Sequence, residues 1–150
     1  MRKKLSGLFA TLCCATLLFG SSALASTTTF SGTMNYRLID GSSNGIYYDI
    51  DADKMVSLSG TVTVTEYDPD EAEANIYGHQ VGVQSTWIRL YEGRKSGRGV
   101  SVCATSVKVS SGSKSFSASG KTSEDGNKYI YIYKGMDDGY DVSISGTISY

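Results

Sequence analysis

Histidine, proline and tryptophan each occur once in 150 residues, and cysteine only three times. One histidine (His79) and one cysteine outside the N-terminal segment (Cys103) serve zinc poorly. A Cys-His dyad would need these two residues, 24 positions apart, to meet in space with an orienting third group. Cys103 stands among Val100, Val102, Ala104 and Val107, where a buried structural thiol is expected. Glycine is plentiful, yet no glycine-rich loop follows a strand and opens a helix, which disfavours nucleotide binding. No pair of carboxylates stands out from the solvated background as a glycosidase acid and base. No catalytic residue is assigned, and the expectation is a protein that is not an enzyme.

Long apolar runs are missing too. The longest covers residues 8–19 and falls short of the roughly 20 residues that a membrane-spanning helix needs, so no transmembrane anchor is expected. It follows Arg2, Lys3 and Lys4 and precedes Gly20, Ser21, Ser22, Ala23, Leu24 and Ala25. Basic, apolar and small residues in that order read as a secretory signal peptide over residues 1–25, cleaved after Ala25. Cys13 and Cys14 do not follow a Leu-like residue at the spacing that lipid attachment requires, since Ala10 and Thr11 stand there. A secreted, extracellular product is expected, with residues 26–150 forming one domain. Two of the three cysteines leave with the leader, so no intramolecular disulfide can form despite the oxidising destination.

Cleavage would remove three of the 14 bases and none of the 15 acids, leaving a net charge of −4. Residues 26–79 hold two bases and nine acids, whereas residues 80–150 hold nine and six. That asymmetry could steer a partner or drive head-to-tail association, or simply solvate two faces. It falls far short of a nucleic-acid footprint.

Alternation with a period of two dominates after residue 26, and no stretch of a dozen residues keeps a helical period. Strands are expected over residues 28–39, 46–51, 56–65, 81–92 and 100–109, around Phe116 and Ala118, and over 129–133 and 142–150. Phase changes place irregularities near residues 85–87 and near Ala104. Residues 68–80, which hold Pro69, read as an acidic loop with one helical turn, and residues 124–127 as a hairpin turn. About eight short strands with one buried face each predict an all-β fold, an antiparallel, jelly-roll-like β-sandwich, with a small β-barrel as the alternative. The element apolar-Ser-Gly-Thr-apolar recurs around Gly32, Gly60 and Gly146, with room there for bulky groups from the facing sheet, the tyrosines among them.

Asp49, Asp51 and Asp53 would share one face of a strand and form a candidate calcium site, the only cofactor suggested. Turn capping and edge solvation explain them without a metal, as they do Asp137, Asp138 and Asp141. Tyr129, Tyr131 and Tyr133 alternate with Ile130 and Ile132; if the isoleucines face the core, the tyrosines form an exposed ladder able to stack on a sugar ring or a protein, the alternative being cross-strand packing or burial of the tyrosines themselves. Lys128 and Lys134 bracket this run and read as gatekeepers against aggregation. Trp87 and the basic loop with Arg94, Lys95 and Arg98 complete the candidate contacts. The leading expectation is a secreted, non-enzymatic binder of an extracellular glycan, envelope polymer or protein. A self-assembling structural protein, an exported toxin or bacteriocin-like effector, and a secreted hydrolase follow in that order.

Overall fold

A computed structural model describes residues 25–74, 77–93 and 99–150. The expected leader over residues 1–24 and the basic loop over residues 94–98 lie outside the described residues. The chain is an all-β sandwich of two antiparallel sheets, with nine strands rather than about eight among the described residues. They are β1 (Thr27–Met34), β2 (Leu38–Asp40), β3 (Tyr48–Asp49), β4 (Met55–Tyr67), β5 (Ser85–Glu92), β6 (Val100–Lys108), β7 (Ser113–Lys121), β8 (Asn127–Tyr133) and β9 (Tyr140–Ser149). The first sheet runs β1-β9-β4-β7 and the second β2-β8-β5-β6, with β3 also paired to β8.

Each strand contributes alternate residues to the core between the sheets. Val56, Leu58 and Val62 of β4 meet Val142, Ile144 and Ile148 of β9 on one side, and Ile88, Leu90, Ile130 and Ile132 on the other; all are buried. Each such side chain contributes about 1.5–3 kcal/mol by leaving water. With Cys103 free and buried, packing and backbone hydrogen bonds carry the stability.

Five expectations about strands and turns need correction. The single strand over residues 28–39 is broken at residues 35–37, where the chain leaves the first sheet for the second. Phe30 and Met34 are therefore inside, while Tyr36 and Leu38 are exposed. The turn at residues 124–127 is no hairpin, because β7 and β8 belong to different sheets. The phase change in β5 marks its start at Ser85 rather than a bend within it, and the irregularity in β6 falls at Val102, two residues before the expected place. The acidic loop turns through bonds from Glu71 N to Asp68 O and from Ala72 N to Pro69 O, with no helical segment among its described residues.

The recurring glycines make room for different neighbours than expected. Phe30, Gly146, Gly60 and Phe116 lie in one row across the first sheet. The two rings fold over the glycines, and a Cβ on Gly60 would fall 2.7 Å from Phe116 Cζ. Gly32 accommodates Ile39. The tyrosines of β8 play no part, since they lie on the outer side of the other sheet.

Candidate binding face

Period two in β8 sends Lys128, Ile130, Ile132 and Lys134 inward and Tyr129, Tyr131 and Tyr133 outward, where all three are half-buried. The same period in β5 buries Thr86, Ile88, Leu90 and Glu92 and turns Trp87, Arg89 and Tyr91 out. Antiparallel register then sets Trp87 opposite Tyr133, Arg89 opposite Tyr131 and Tyr91 opposite Tyr129. Five aromatic rings and one guanidinium form a patch of two strands by three rungs, about 14 Å long.

Its rings interlock. Trp87 stacks on Tyr133 with centroids 6.3 Å apart and Tyr91 on Tyr129 at 5.6 Å, while Tyr131 meets Tyr91 edge-on at 5.8 Å and Tyr133 at a tilt at 5.6 Å. Tyr47, just before β3, extends the patch by an edge contact to Tyr129 at 6.3 Å and donates its hydroxyl to Ser42 O. Trp87 is 37% exposed and Tyr47 47%, so the surface is open to a ligand.

Arg89 lies at the centre. Its Nη1 donates to Tyr91 Oη at 3.1 Å and its Nη2 to Tyr133 Oη at 2.9 Å, and the guanidinium carbon sits 5.4 Å from the ring centroids of both Trp87 and Tyr133. The hydrogen bond with Tyr91 raises its pKa despite partial desolvation, so the charge persists. Because both phenol oxygens accept from Arg89, their own protons are directed elsewhere and are available to a bound molecule. Desolvation, aided by the Asp40 carboxylate, also pushes the Tyr129 phenol up, which keeps it a neutral donor.

Beneath the patch, the two lysines are buried, not gatekeepers, because they share parity with the isoleucines. Lys128 Nζ donates to Ile50 O at 2.9 Å, Glu124 O at 2.8 Å and Gly126 O at 2.9 Å, with Glu92 Oε2 at 4.0 Å. Lys134 Nζ pairs with Asp138 Oδ1 at 2.6 Å and also donates to Tyr140 O. These bonds tie both ends of β8 to the neighbouring loops.

The remaining expected sites do not assemble. Asp49, Asp51 and Asp53 share no strand face, since β3 ends at Asp49 and Asp53 adopts a positive φ of 60° and pairs with Lys121 at 2.6 Å. Among the described residues no group of three or more acids, histidines or cysteines is placed to hold a metal ion. Asp137 and Asp138 are buried capping groups: Asp137 Oδ1 accepts from Gly139 N and Asp138 Oδ2 from Gln84 N. Cys103 lies in the core, where burial pushes its thiol up, while His79 is exposed in the acidic loop. Arg94, Lys95 and Arg98 lie outside the described residues. Arg89, Tyr91 and Tyr47 escaped the sequence reading, although Arg89 and Tyr91 share Trp87's parity.

The opposite face of the molecule differs in kind. Across the first sheet the outward positions form four rows of four: Thr27, Ser149, Ser57 and Ser119; Thr29, Thr147, Ser59 and Ser117; Ser31, Ser145, Thr61 and Ser115; Thr33, Ser143, Thr63 and Ser113. All sixteen are Ser or Thr. Some bond one another, as Ser59 Oγ and Thr147 Oγ1 do at 3.2 Å and Thr63 Oγ1 and Ser113 Oγ at 2.8 Å. This grid holds no aromatic ring and no charge, so it offers neither a stacking surface nor an anchor for a charged group.

No protein-family model matches the chain, and no curated protein matches it in sequence. Among solved structures, one described as "CBM4 structure and function" is similar at 10% identity and a TM-score of 0.43, over 83% of this chain and 80% of that one. A similarity of that depth carries no functional argument, and the reading below rests on the patch itself.

Proposed function

We propose that this chain is a secreted, non-enzymatic β-sandwich that binds an extracellular carbohydrate across the outer face of its second sheet. The observation that carries this reading is the in-register block of Trp87, Arg89 and Tyr91 against Tyr133, Tyr131 and Tyr129. Sugar rings present flat C–H faces that stack on aromatic rings and a rim of hydroxyls that need directed partners. The patch supplies ring faces together with phenol and guanidinium hydrogen bonds, a combination suited to fixing a ligand's orientation. The export part of this reading rests on the order of basic, apolar and small residues over 1–25.

Glycan-array retention and calorimetry test the reading, with Trp87→Ala and Tyr131→Ala on the patch and Ser59→Ala on the hydroxyl grid as a control. Loss of an aromatic anchor is expected to weaken binding tenfold or more, about 1.4 kcal/mol. Ser59→Ala should leave binding unchanged. Retention of no glycan, or equal binding by patch variants that melt like the parent, would overturn the assignment.

A further inference from the structure

Four of the described cations are matched by acids: Lys128 by Glu92 and Lys134 by Asp138 in the interior, Arg37 by Glu73 and Lys121 by Asp53 at the surface. Arg89 is half-buried, yet it takes part in none of the ion pairs among the described residues. Among the described residues its charge is met only by phenol oxygens and ring faces. Its Nε is fully buried and has no hydrogen-bond partner, so the side chain holds this pose while leaving one donor unmet. An arginine on an open sheet face ordinarily gains by swinging into water; this one is held by the Tyr91 and Tyr133 hydroxyls with its guanidinium against the Trp87 and Tyr133 rings. The acid nearest in register, Asp40, lies one strand beyond Tyr131, and its carboxylate is already occupied by Ser42 and Ser43.

We propose, on the basis of the carbohydrate reading above, that the ligand is an acidic saccharide whose carboxylate docks on Arg89. The planar guanidinium has five N–H donors; two are spent on Tyr91 and Tyr133 and one, on Nε, is buried. That leaves two Nη hydrogens for a carboxylate, and the flanking phenol protons can donate to the same group or to ring hydroxyls. Rings stacked on Trp87 and Tyr131 would carry the sugar backbone while the carboxylate neutralises the one patch charge that has no acid partner. Partial burial of the guanidinium strengthens such a pair relative to one in open water. A neutral saccharide would stack equally well but leave Arg89 uncompensated.

The test uses affinity electrophoresis of the leader-free chain through polygalacturonate, alginate and hyaluronate, each beside its carboxyl-reduced form. Retardation by at least one acidic polymer is expected, weakened tenfold or more by carboxyl reduction, by Arg89→Gln and by raised salt. Arg89→Lys should recover only part of the loss, because an ammonium lacks the planar fork. Trp87→Ala should abolish retardation by acidic and reduced polymers alike. Equal retardation by acidic and reduced forms of the parent chain would overturn the acidic-ligand inference and leave the carbohydrate reading standing. Retardation by neither form would overturn both. The parent-chain comparison decides even where Arg89→Gln fails to fold.

Discussion

Replacing Lys128 by methionine keeps the stem that fills the space under β8 and removes only the ammonium. Three carbonyls, on Ile50, Glu124 and Gly126, then lose a charged donor, and Glu92 loses its nearest cation. A hydrogen bond to a charged group contributes about 1.5–3 kcal/mol. The three are not additive, because the 124–126 turn can open and admit water, and removing one partner of a buried ionic group costs about 3–5 kcal/mol. Against a typical total of about 5–15 kcal/mol that is a large fraction. Urea unfolding should therefore show a free energy lower by this amount, read as a lower midpoint at an unchanged slope. Lys121→Met is the internal control, since its 2.6 Å pair with Asp53 is the shorter contact but both side chains are mostly in water, 56% and 85% exposed. It should cost much less, because solvent screens an exposed pair. If Lys128→Met costs no more than Lys121→Met, burial does not set the value of these cations and the account of β8 is wrong.

Glu92 should govern part of the acid limb. Burial alone would raise its pKa, but the Ser123 hydroxyl, the amides of Ser123 and Glu124 and the nearby Lys128 outweigh that and hold it below the ordinary glutamate range. A carboxyl lowered in the folded state contributes stability above about pH 4.3 and loses it as pH falls through the folded value. Glu92→Gln should lower the melting temperature at neutral pH and flatten its decline below pH 4.3; parallel melting curves for the two chains would refute this. Gly60→Ala drives a methyl against the Ser145 carbonyl and to 2.7 Å from Phe116 Cζ. Because the backbone contact cannot yield as a side chain would, a loss of about 2–3 kcal/mol is expected in urea, and a neutral result would contradict the packed glycine row.

Alternation within single strands was readable, and with it the all-β class; in β8 it separated the tyrosines from the isoleucines but did not say which set faces out. Pairing between strands was not, because of the seven pairings only β5 with β6 joins neighbours in sequence. The centre of the patch was hidden for that reason: Arg89 becomes a site residue only when β5 is laid beside β8. The hydroxyl grid is similar, since each strand shows its own Ser and Thr alternation but the sixteen-residue array exists only in register. Lys128 and Lys134 are a different case. Their parity already placed them with Ile130 and Ile132, but a lysine is rarely fully buried, and only the carbonyls and Asp138 waiting at either end of β8 make that burial affordable.

Those buried lysines bear on how the outer face can bind. β8 and β5 are the two central strands of the second sheet, flanked by β2 and β3 on one side and β6 on the other. A slip of β8 by one residue would carry Ile130 and Ile132 into solvent and pull both ammonium groups away from their acceptors. The strand is thus held in one register at each end, and Tyr129, Tyr131 and Tyr133 are held with it. Arg89 adds a clamp on the outer side by bonding a tyrosine of its own strand and one of β8. A ligand arriving on this face meets rings already in place, so little ordering cost is charged against the stacking energy. The hydroxyl grid has no such double anchorage and no large rings to align. Of the two outer faces, the aromatic one is the face on which rigidity and contact area coincide.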